Sequence, residues 1–257
     1  MTLSFDDLLL GFLQTGIQPD DLVMLHSSYK SLGGVEGGAE TVVRALHEAV
    51  FPNGAVFFPR YTVASWCGGR YFDEKETPGE MGIIPEIAAQ TFKARTRHPI
   101  HNFQVAGKWR DAFQFDNRES FSKRGPFGLF HRENGLVVSI GVPWNDTISF
   151  VHYVEQQAGA EFRRVKNFGG LYVDHAGRTR AKTCQMSVRK TQNHITHVAP
   201  LYDEVLVPAG VVKQIQIGTA TVSYFRCQEY YDAVAPLVTE RPELFHYYEG
   251  YREQVPA

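Results

Sequence analysis

The stretch LVMLHSSYKSLGGVEGGAETVVRAL, residues 22–46, decides the fold class. Its first four residues are apolar and predict a buried strand. A glycine-rich turn follows, and apolar residues three and four apart then predict a helix, at Val42, Val43, Leu46 and Val50. Ala55 to Phe58 predicts a second short strand, which Pro59 ends. Strand, turn, helix and strand in this order indicate a parallel α/β sheet.

The flanking sequence extends this pattern in both directions. Ser4 and Asp7 form a capping-box pattern at the start of an amphipathic helix that Gly16 can close. The other predicted elements before residue 160 are a helix at Pro85 to Lys93, a buried strand at Leu136 to Val142 and a helix at about Ser149 to Ala158.

The later part of the chain has a different character. The stretch from Gly169 to Arg178 predicts a β-hairpin. Further strands are predicted at Glu204 to Val207, Val211 to Ile217 and Thr221 to Phe225. We therefore predict an α/β fold in which a central mixed sheet is flanked by helices and the C-terminal half is more antiparallel. No linker or repeat interrupts residues 1–257, so a single domain is expected.

The composition resembles that of an ordinary globular protein. Of the 257 residues, 43% are apolar, and the formal net charge of -2 does not indicate nucleic acid or an anionic membrane as a partner. The apolar runs are too short to span a bilayer, and the N-terminus lacks the basic leader of a signal peptide. The cysteines, Cys67, Cys184 and Cys227, form neither a disulfide framework nor a zinc pattern. We expect a cytoplasmic protein.

The segment from His26 to Glu40 is the first candidate for chemistry. It places hydroxyl and backbone N–H groups between a strand end and a helix start, where a phosphate can bind. The alternative is a tight turn that requires glycine for its backbone angles, and the residues alone favour that alternative. The segment contains neither G-x-G-x-x-G nor G-x-x-x-x-G-K-[ST], so dinucleotide or nucleoside-triphosphate binding is unsupported.

A second segment, Thr147 to Gln156, carries a histidine and a carboxylate one helical turn apart. On a helix, Ser149, His152 and Glu155 share a sector. An imidazole beside a carboxylate suits a general base held in one tautomer. The alternative is a histidine at the edge of the core with an ordinary hydrogen bond, which the residues alone favour.

The other histidines and cysteines give weaker signals. His98 and His101 lie in a rigid extended segment, and His194 and His197 have a metal-like spacing without a third and fourth ligand in the sequence. We therefore predict no metal site. Cys67 lies in a glycine-flanked loop, where nothing nearby in the sequence would lower the pKa of its thiol.

Taken together, these segments resemble the aminoglycoside 3-N-acetyltransferase family, also called the antibiotic N-acetyltransferases. Five motifs occur in the family's order over Leu22 to Glu155, and the similarity fades after about Phe162. The motifs are His26-Ser27-Ser28 with Leu32-Gly33 and Gly37-Gly38-Ala39; Thr77-Pro78-Gly79-Glu80-Met81-Gly82 with Pro85-Glu86; Arg97-His98-Pro99 to Gly107; Gly125-Pro126-Phe127-Gly128 to Gly135; and Asp146, Ser149, His152-Tyr153 and Glu155.

The resemblance implies an α/β fold that binds acetyl-CoA and acetylates an amine without a metal. His152 would be the general base, Glu155 would fix its ring, and the Ser149 hydroxyl or N–H groups of the glycine turn would stabilise the oxyanion. The expected acetyl-CoA contacts are Ser27, Ser28, Lys30, Ser31 and Gly33, and the expected acceptor contacts are Tyr61, Asp73, Glu80 and Asp146. The implied partners are acetyl-CoA and a small-molecule amine, with no nucleic acid and no membrane; the sequence specifies no oligomeric state.

Three positions depart from the family's pattern. Ser149 stands where a threonine is expected and keeps the hydroxyl. Asn102 stands where a serine is expected, and Gly128-Leu129-Phe130 replaces an expected serine-proline pair. The last two departures concern the contacts to the cofactor.

The acceptor amine has two interpretations. An aminoglycoside is a polycation and requires an acidic pocket, for which the candidates are Asp73, Glu74, Glu76, Glu80 and Glu86. The segment from Glu161 to Lys190 is strongly basic and would favour an anionic acceptor, such as a nucleotide-linked or phosphonate amine, if it bordered the cleft; otherwise it is a solvated hairpin face. The family resemblance places the aminoglycoside first and the biosynthetic reaction second. A third interpretation is a non-catalytic CoA-binding relative. The presence of His152 and Glu155 disfavours it, because a protein that only binds CoA requires neither residue.

Overall fold

The chain forms short strands and helices in alternation before residue 160 and is richer in strands after it. In chain order the strands are β1 (Thr2–Leu3), β2 (Leu22–Ser27), β3 (Gly34–Val35), β4 (Ala55–Pro59), β5 (Tyr71–Asp73), β6 (Ala94–Arg95), β7 (Phe103–Gly107), β8 (Leu136–Ile140), β9 (Arg163–Val173), β10 (Thr179–Arg189), β11 (His194–Thr196), β12 (Lys213–Ile217), β13 (Ala220–Arg226) and β14 (His246–Tyr248). The helices are α1 (Phe5–Gln14), α2 (Ala39–Ala49), α3 (Val63–Cys67), α4 (Ile83–Thr91), α5 (Pro126–Arg132), α6 (Trp144–Thr147), α7 (Phe150–Gln157), α8 (Cys227–Val234) and α9 (Leu237–Glu240).

The computed structural model describes residues 2–108, 117–147 and 149–249; Asp146 and Thr147 are described by their backbone alone. A seven-stranded mixed sheet lies at its centre. The strand order is β12-β13-β8-β2-β4-β7-β6. Strand β2 runs parallel to β4 and β8, whereas the outer pairs are antiparallel. The predicted mixed sheet and its more antiparallel C-terminal part are confirmed.

Helices cover both faces of this sheet because successive strand residues point to opposite sides. Val23 and Leu25 of β2 pack in one cluster with α1, α2 and α4. Leu22 and Met24 pack in the other cluster, with α5, α7 and α8. At the start of α1, the Ser4 hydroxyl accepts from the Asp7 N–H at 3.2 Å while Asp7 accepts from the Ser4 N–H at 2.8 Å, so the predicted capping box is confirmed.

A second sheet, in the order β10-β9-β5, carries the basic segment. β9 and β10 pair antiparallel from Arg163 opposite Arg189 to Val173 opposite Thr179. The predicted hairpin is therefore confirmed and is longer than expected. One face of this sheet covers a small cluster made of Trp66, Phe72, Ile100, Tyr172 and Cys184.

One predicted strand is wrong. The sequence predicts a strand at Glu204 to Val207, but Leu201–Leu206 forms a π-helical segment. Leu201, Tyr202 and Leu206 are all fully buried in the core cluster around α7 and α8. A short apolar run does not distinguish a strand from a buried helical segment, and here packing decides. In the part of the chain that the structure describes, no helix is both long and apolar enough to cross a bilayer.

Candidate active site

Helix α7 presents a histidine and a carboxylate on neighbouring turns. Phe150, Val151 and Val154 anchor the helix in the core. Because residues three apart are neighbours on a helix, Nδ1 of His152 lies 2.8 Å from Oε2 of Glu155. The Glu155 side chain is fully buried, whereas 28% of the His152 side chain is exposed. A ligand can therefore reach the imidazole, while the carboxylate stays behind it.

A third charged residue, Arg163 at the start of β9, contacts both members of this pair. Its Nε lies 2.7 Å from Oε2 of Glu155, and its Nη2 lies 2.9 Å from Nδ1 of His152. Its side chain is only 7% exposed, so the buried carboxylate has a buried cation beside it; an unpaired buried charge is strongly destabilising. The sequence places Arg163 in a basic segment and gives no local signal for this contact, which depends on how β9 packs against α7.

These contacts set the protonation of the site. Burial lowers the pKa of His152 below its ordinary value, Arg163 lowers it further, and Glu155 opposes both effects. Burial alone would raise the pKa of Glu155, but His152 and Arg163 lower it below its usual range. At neutral pH the site thus holds a carboxylate and a neutral imidazole. Nδ1 of His152 lies within hydrogen-bond distance of both Oε2 of Glu155 and Nη2 of Arg163, and it can bond to only one of them. In the tautomer whose Nδ1–H donates to Glu155, Arg163 acts on the ring as a neighbouring charge, and Nε2 carries the lone pair that accepts a proton.

The ring of Phe121 packs beside His152 and links it to His101 and Tyr61. The ring centroid of Phe121 lies 5.8 Å from that of His152 and 4.8 Å from that of His101. His101 in turn lies 4.7 Å from the ring of Tyr61. Burial raises the pKa of Tyr61, and the neighbouring Ser149 hydroxyl opposes this rise. The fold therefore brings two more of the expected residues, Tyr61 and Ser149, into one group with His152.

Asn102, one of the departures from the family's pattern, has a clear place in the fold. Its Nδ2 donates to the Thr62 hydroxyl at 2.9 Å, and its Oδ1 accepts from Nε of Arg95 at 2.8 Å. The side chain is fully buried. A serine has one oxygen in place of these two amide atoms, so Asn102 ties together segments that a serine would not span. These bonds position the neighbouring residues His101 and Tyr61.

The expected acetyl-CoA contacts form the turn after β2. Ser27 lines a cavity of about 200 Å³ at the carboxyl ends of β2 and β4, and Lys30 is exposed. The N–H groups of Ser28, Ser31 and Gly33 donate to backbone carbonyls of the protein. Gly33 has a φ of 81°, which favours glycine. These three N–H groups are therefore already bonded, two within the turn and that of Ser28 to Ile140 of β8, so the side chains of Ser27, Ser28 and Lys30 are better placed to meet a ligand.

The expected acceptor carboxylates have partners within the protein. Oδ1 of Asp73, the last residue of β5, accepts from the N–H groups of Lys75 and Glu76 in the turn that follows, at 2.8 and 3.0 Å. The Glu80 carboxylate accepts from two N–H groups at the start of α3, at 2.8 and 2.9 Å, and its own N–H donates to the Tyr61 carbonyl at 2.8 Å. The side chain of Asp146 lies outside the described residues. Glu80 is thus next to the His152 group, and Asp73 lies in the other sheet.

His98 is hydrogen-bonded within the protein, and Cys67 is partly buried. Nδ1 of His98 accepts from the His101 N–H at 3.1 Å. Burial raises the pKa of the Cys67 thiol to about 11, which disfavours the nucleophilic thiolate. Across residues 2–108, 117–147 and 149–249, no three His, Cys, Asp or Glu side chains come together as a metal-binding group.

Comparison with known proteins defines the class. The family model described as aminoglycoside 3-N-acetyltransferase matches residues 24–239. The chain belongs to the aminoglycoside 3-N-acetyltransferase family, as its motifs indicate. Aminoglycoside N(3)-acetyltransferase III of Acinetobacter baumannii is 30% identical over 169 residues, 58% of this chain and 59% of that protein. Aminoglycoside N(3)-acetyltransferase VIII of Streptomyces fradiae is 26% identical over 170 residues, again 58% of this chain and 59% of that protein.

Solved structures share the fold over nearly the whole chain. The crystal structure of aminoglycoside acetyltransferase AAC(3)-IIb has a TM-score of 0.79 and 20% identity, and the match covers 93% of this chain and 98% of that one. The binary structure of AAC-IIIb with CoASH has a TM-score of 0.78 and 18% identity, and the match covers 94% of this chain and 98% of that one. The sequence matches to the curated relatives are shorter and span 59% of their length.

Proposed function

We propose that this chain is an N-acetyltransferase that transfers the acetyl group of acetyl-CoA to an amine of an aminoglycoside-like amino sugar, with residues 1–257 acting as a single domain. The observation that carries the proposal is the 2.8 Å contact between His152, which is partly exposed, and Glu155, which is buried. Membership of the family supports the reaction type. Two solved structures of this fold contain ligands of the proposed kinds: AAC-VIa is bound to Sisomicin, and AAC-IIIb is bound to CoASH.

His152 would supply general-base catalysis. A substrate amine is mostly protonated near neutral pH, and only its free base attacks a carbonyl carbon. Acetyl-CoA supplies the acetyl thioester. The substrate ammonium first loses one proton to solvent, and the free amine attacks the thioester carbon. As the C–N bond forms, His152 accepts a second proton from the nitrogen while Glu155 holds the ring and stabilises the imidazolium. His152 then returns that proton to the sulfur as the C–S bond breaks. Such a base contributes about a hundred- to ten-thousand-fold in rate.

The other expected residues have proposed roles that follow from their positions. The N–H groups of Ser28, Ser31 and Gly33 already donate to carbonyls of the protein, which favours the Ser149 hydroxyl as the group that stabilises the oxyanion. Ser27 lines the cavity beside β2 and β4, so it and the following turn residues, Ser28, Lys30, Ser31 and Gly33, are proposed to contact acetyl-CoA. Tyr61 is proposed to contact the acceptor, together with Glu80, Asp73 and Asp146. No step requires a metal.

A biosynthetic acyltransferase for an anionic amine is the second candidate, and one observation favours it. A polycationic acceptor requires carboxylates that are available to it. Glu86 forms a two-point ion pair with Arg60, at 2.7 and 2.9 Å, and Glu74 lies 3.5 Å from Arg97. Four of the five carboxylates expected to attract a cation are therefore already compensated by cations or N–H groups of the protein, namely Asp73, Glu74, Glu80 and Glu86.

Release of CoA thiol tests both candidates. Acetyl-CoA is mixed with the protein and a panel of aminoglycosides and anionic amino sugars, and free thiol is followed with a thiol reagent. Rapid release with an aminoglycoside establishes the first candidate, and release with an anionic amine alone establishes the second. If no amine in the panel gives release above the rate without protein, the catalytic proposal is wrong, and a CoA-binding relative without turnover is left.

We also infer a cytoplasmic location. Cys67, Cys184 and Cys227 are all unpaired thiols in the structure, as in proteins of reducing compartments. Fractionation of the producing cell tests this inference, and recovery of the protein in a secreted fraction contradicts it.

A further inference from the structure

A basic groove lies at the edge of the central sheet, next to β6. One part is a cavity of about 610 Å³, lined on its charged side by Arg60, Glu74, Lys75, Lys93, Arg95 and Arg97. The other part is a cavity of about 640 Å³ that shares Glu74, Arg97 and His175 with the first and continues along Asp174, Arg178 and Arg180. Because the two cavities share three lining residues, they form one continuous groove, called the basic groove below.

Positive charge is in excess in the first cavity. Its described lining contains five Lys and Arg side chains and one carboxylate, Glu74. Glu86 compensates Arg60, and Glu74 lies within ion-pair distance of Arg97. When these two pairs are set aside, the cations Lys75, Lys93 and Arg95 remain, and the described lining has no further carboxylate to balance them. This local excess of positive charge contrasts with the overall formal charge of -2. An excess of cations in a concave site raises the local concentration of anions.

Arg95 shows that this positive charge is held in place by the fold. It donates to four uncharged oxygens: Oδ1 of Asn102 at 2.8 Å and the carbonyls of Thr77 at 2.7 Å, Glu74 at 3.2 Å and Arg60 at 3.5 Å. Its guanidinium lies 4.8 Å from the ring centroid of Phe72. Burial and the nearby charge of Arg60 lower the pKa of Arg95 to about 9. The negative charge of a bound anion would oppose both effects by stabilising the charged guanidinium.

The basic groove is separate from the turn expected to meet acetyl-CoA. In the strand order, β4 and β7 lie between β2 and β6. With about 4.8 Å between neighbouring strands, β2 and β6 are about 14 Å apart. Arg60 and Arg97 line the groove, and the residues that follow them, Tyr61 and His98, belong to the region around His101. The groove thus lies behind the His152 group.

We propose that the basic groove binds a phosphate-bearing small molecule, whose phosphoryl oxygens contact Lys75, Lys93 and Arg95. Arginine and lysine form their strongest hydrogen bonds with such charged oxygens. The volume of the groove is that of a small-molecule site. Arg178 and Arg180 belong to the segment from Glu161 to Lys190, so that basic segment borders this groove. The inference does not depend on the reaction at His152.

Calorimetric titration with inorganic pyrophosphate at low ionic strength tests the proposal. The wild-type protein should bind one pyrophosphate, and the double variant Lys75→Glu/Lys93→Glu should bind it at least about tenfold more weakly, since two charge-assisted contacts become repulsive. The matched control Lys123→Glu/Lys213→Glu changes the net charge equally at exposed lysines outside the groove and should bind within about twofold of the wild type. Thermal unfolding of both double variants checks their folding.

Repeating the titration in saturating CoA identifies the source of the phosphate. If CoA abolishes pyrophosphate binding, the groove holds the phosphate groups of CoA; if binding persists, the groove serves a different phosphorylated ligand. The proposal is overturned if the wild type does not bind pyrophosphate. It is equally overturned if the two double variants lose affinity to the same extent, because the effect is then one of net charge.

Discussion

The Nη2 atom of Arg163 lies 2.9 Å from Nδ1 of His152. Both side chains also contact the same carboxylate oxygen, Oε2 of Glu155, at 2.7 and 2.8 Å. The buried carboxylate of Glu155 therefore contacts both side chains and places the guanidinium of Arg163 beside the imidazole of His152. There the guanidinium opposes protonation of the imidazole. The carboxylate favours the charged form of His152 and the guanidinium disfavours it, so the two neighbours shift the pKa of His152 in opposite directions.

This opposition predicts two opposite shifts in the pH profile. Arg163→Gln removes a positive charge, so the pKa of His152 should rise and the ascending limb of kcat/KM should move to higher pH. Glu155→Gln removes the negative charge, so the pKa should fall further and the limb should move to lower pH, with a lower plateau. The measurement is kcat/KM for acetyl transfer between pH 5 and 9.

Two variants control for unrelated effects at this position. Arg163→Lys keeps the charge and should keep the limb closer to that of the wild type than Arg163→Gln does. Arg164→Gln changes the exposed neighbouring residue and should leave the profile unchanged. Shifts of Arg163→Gln and Glu155→Gln in the same direction would contradict the electrostatic account.

Ser149 is predicted to act through its hydroxyl. Ser149→Ala should lower kcat by about a hundredfold or more with little change in KM, because loss of one oxyanion donor has an effect of this size. Ser149→Thr keeps the hydroxyl and should stay within a few-fold of the wild type. Steady-state kinetics of the two variants make the comparison. An alanine variant as active as the threonine variant would assign the role to another group.

Direct transfer predicts that Cys67 is dispensable. Burial raises the pKa of its thiol to about 11, so little thiolate is present at neutral pH. Cys67→Ala should keep kcat within about twofold, since a residue outside the reaction affects it weakly. Intact-mass spectrometry of the wild type after rapid mixing with acetyl-CoA should show no acetyl adduct. An adduct that disappears in Cys67→Ala would establish a covalent route instead.

Acid stability provides a test of a buried histidine. His26 is 2% exposed, and burial lowers its pKa to about 3 from an ordinary value of 6.5. Between these values the unfolded chain binds a proton that the folded protein does not, so the free energy of unfolding falls as the pH falls below about 6.5. The decrease reaches about 1.4 kcal/mol per pH unit for each such proton.

Urea denaturation at pH 7, 6 and 5 measures this slope. His26→Leu should reduce the slope of the free energy of unfolding against pH by the contribution of one proton. Other buried histidines, such as His101, should still contribute the rest of the slope. His175→Gln, at an exposed position, should leave the slope as it is in the wild type. An unchanged slope in His26→Leu would show that His26 is protonated in the folded protein.

Local patterns in the sequence predict much of the fold. The apolar run at Leu22 and the capping box at Ser4 depend on neighbouring residues, and both appear in the structure. The antiparallel placement of β7 beside β4 and the helical form of Leu201–Leu206 depend on distant packing partners, which a local pattern does not reveal.

In the candidate site, too, the sequence predicts contacts between near neighbours in the chain but not contacts between distant elements. His152 and Glu155 are three residues apart on one helix, so the sequence predicts their contact. Arg163 reaches Glu155 from a different element, and Tyr61 and Ser149 are 88 positions apart in the sequence, so neither contact has a local signature.

The central claim is that His152 is the base of an acetyl transfer, and His152→Ala tests it most directly. CoA release from acetyl-CoA with the best amine of the panel is measured beside CoA affinity, for the wild type and the variant. The account predicts that release falls by about a hundred- to ten-thousand-fold while CoA affinity stays within a few-fold. Near-normal release by His152→Ala would contradict it.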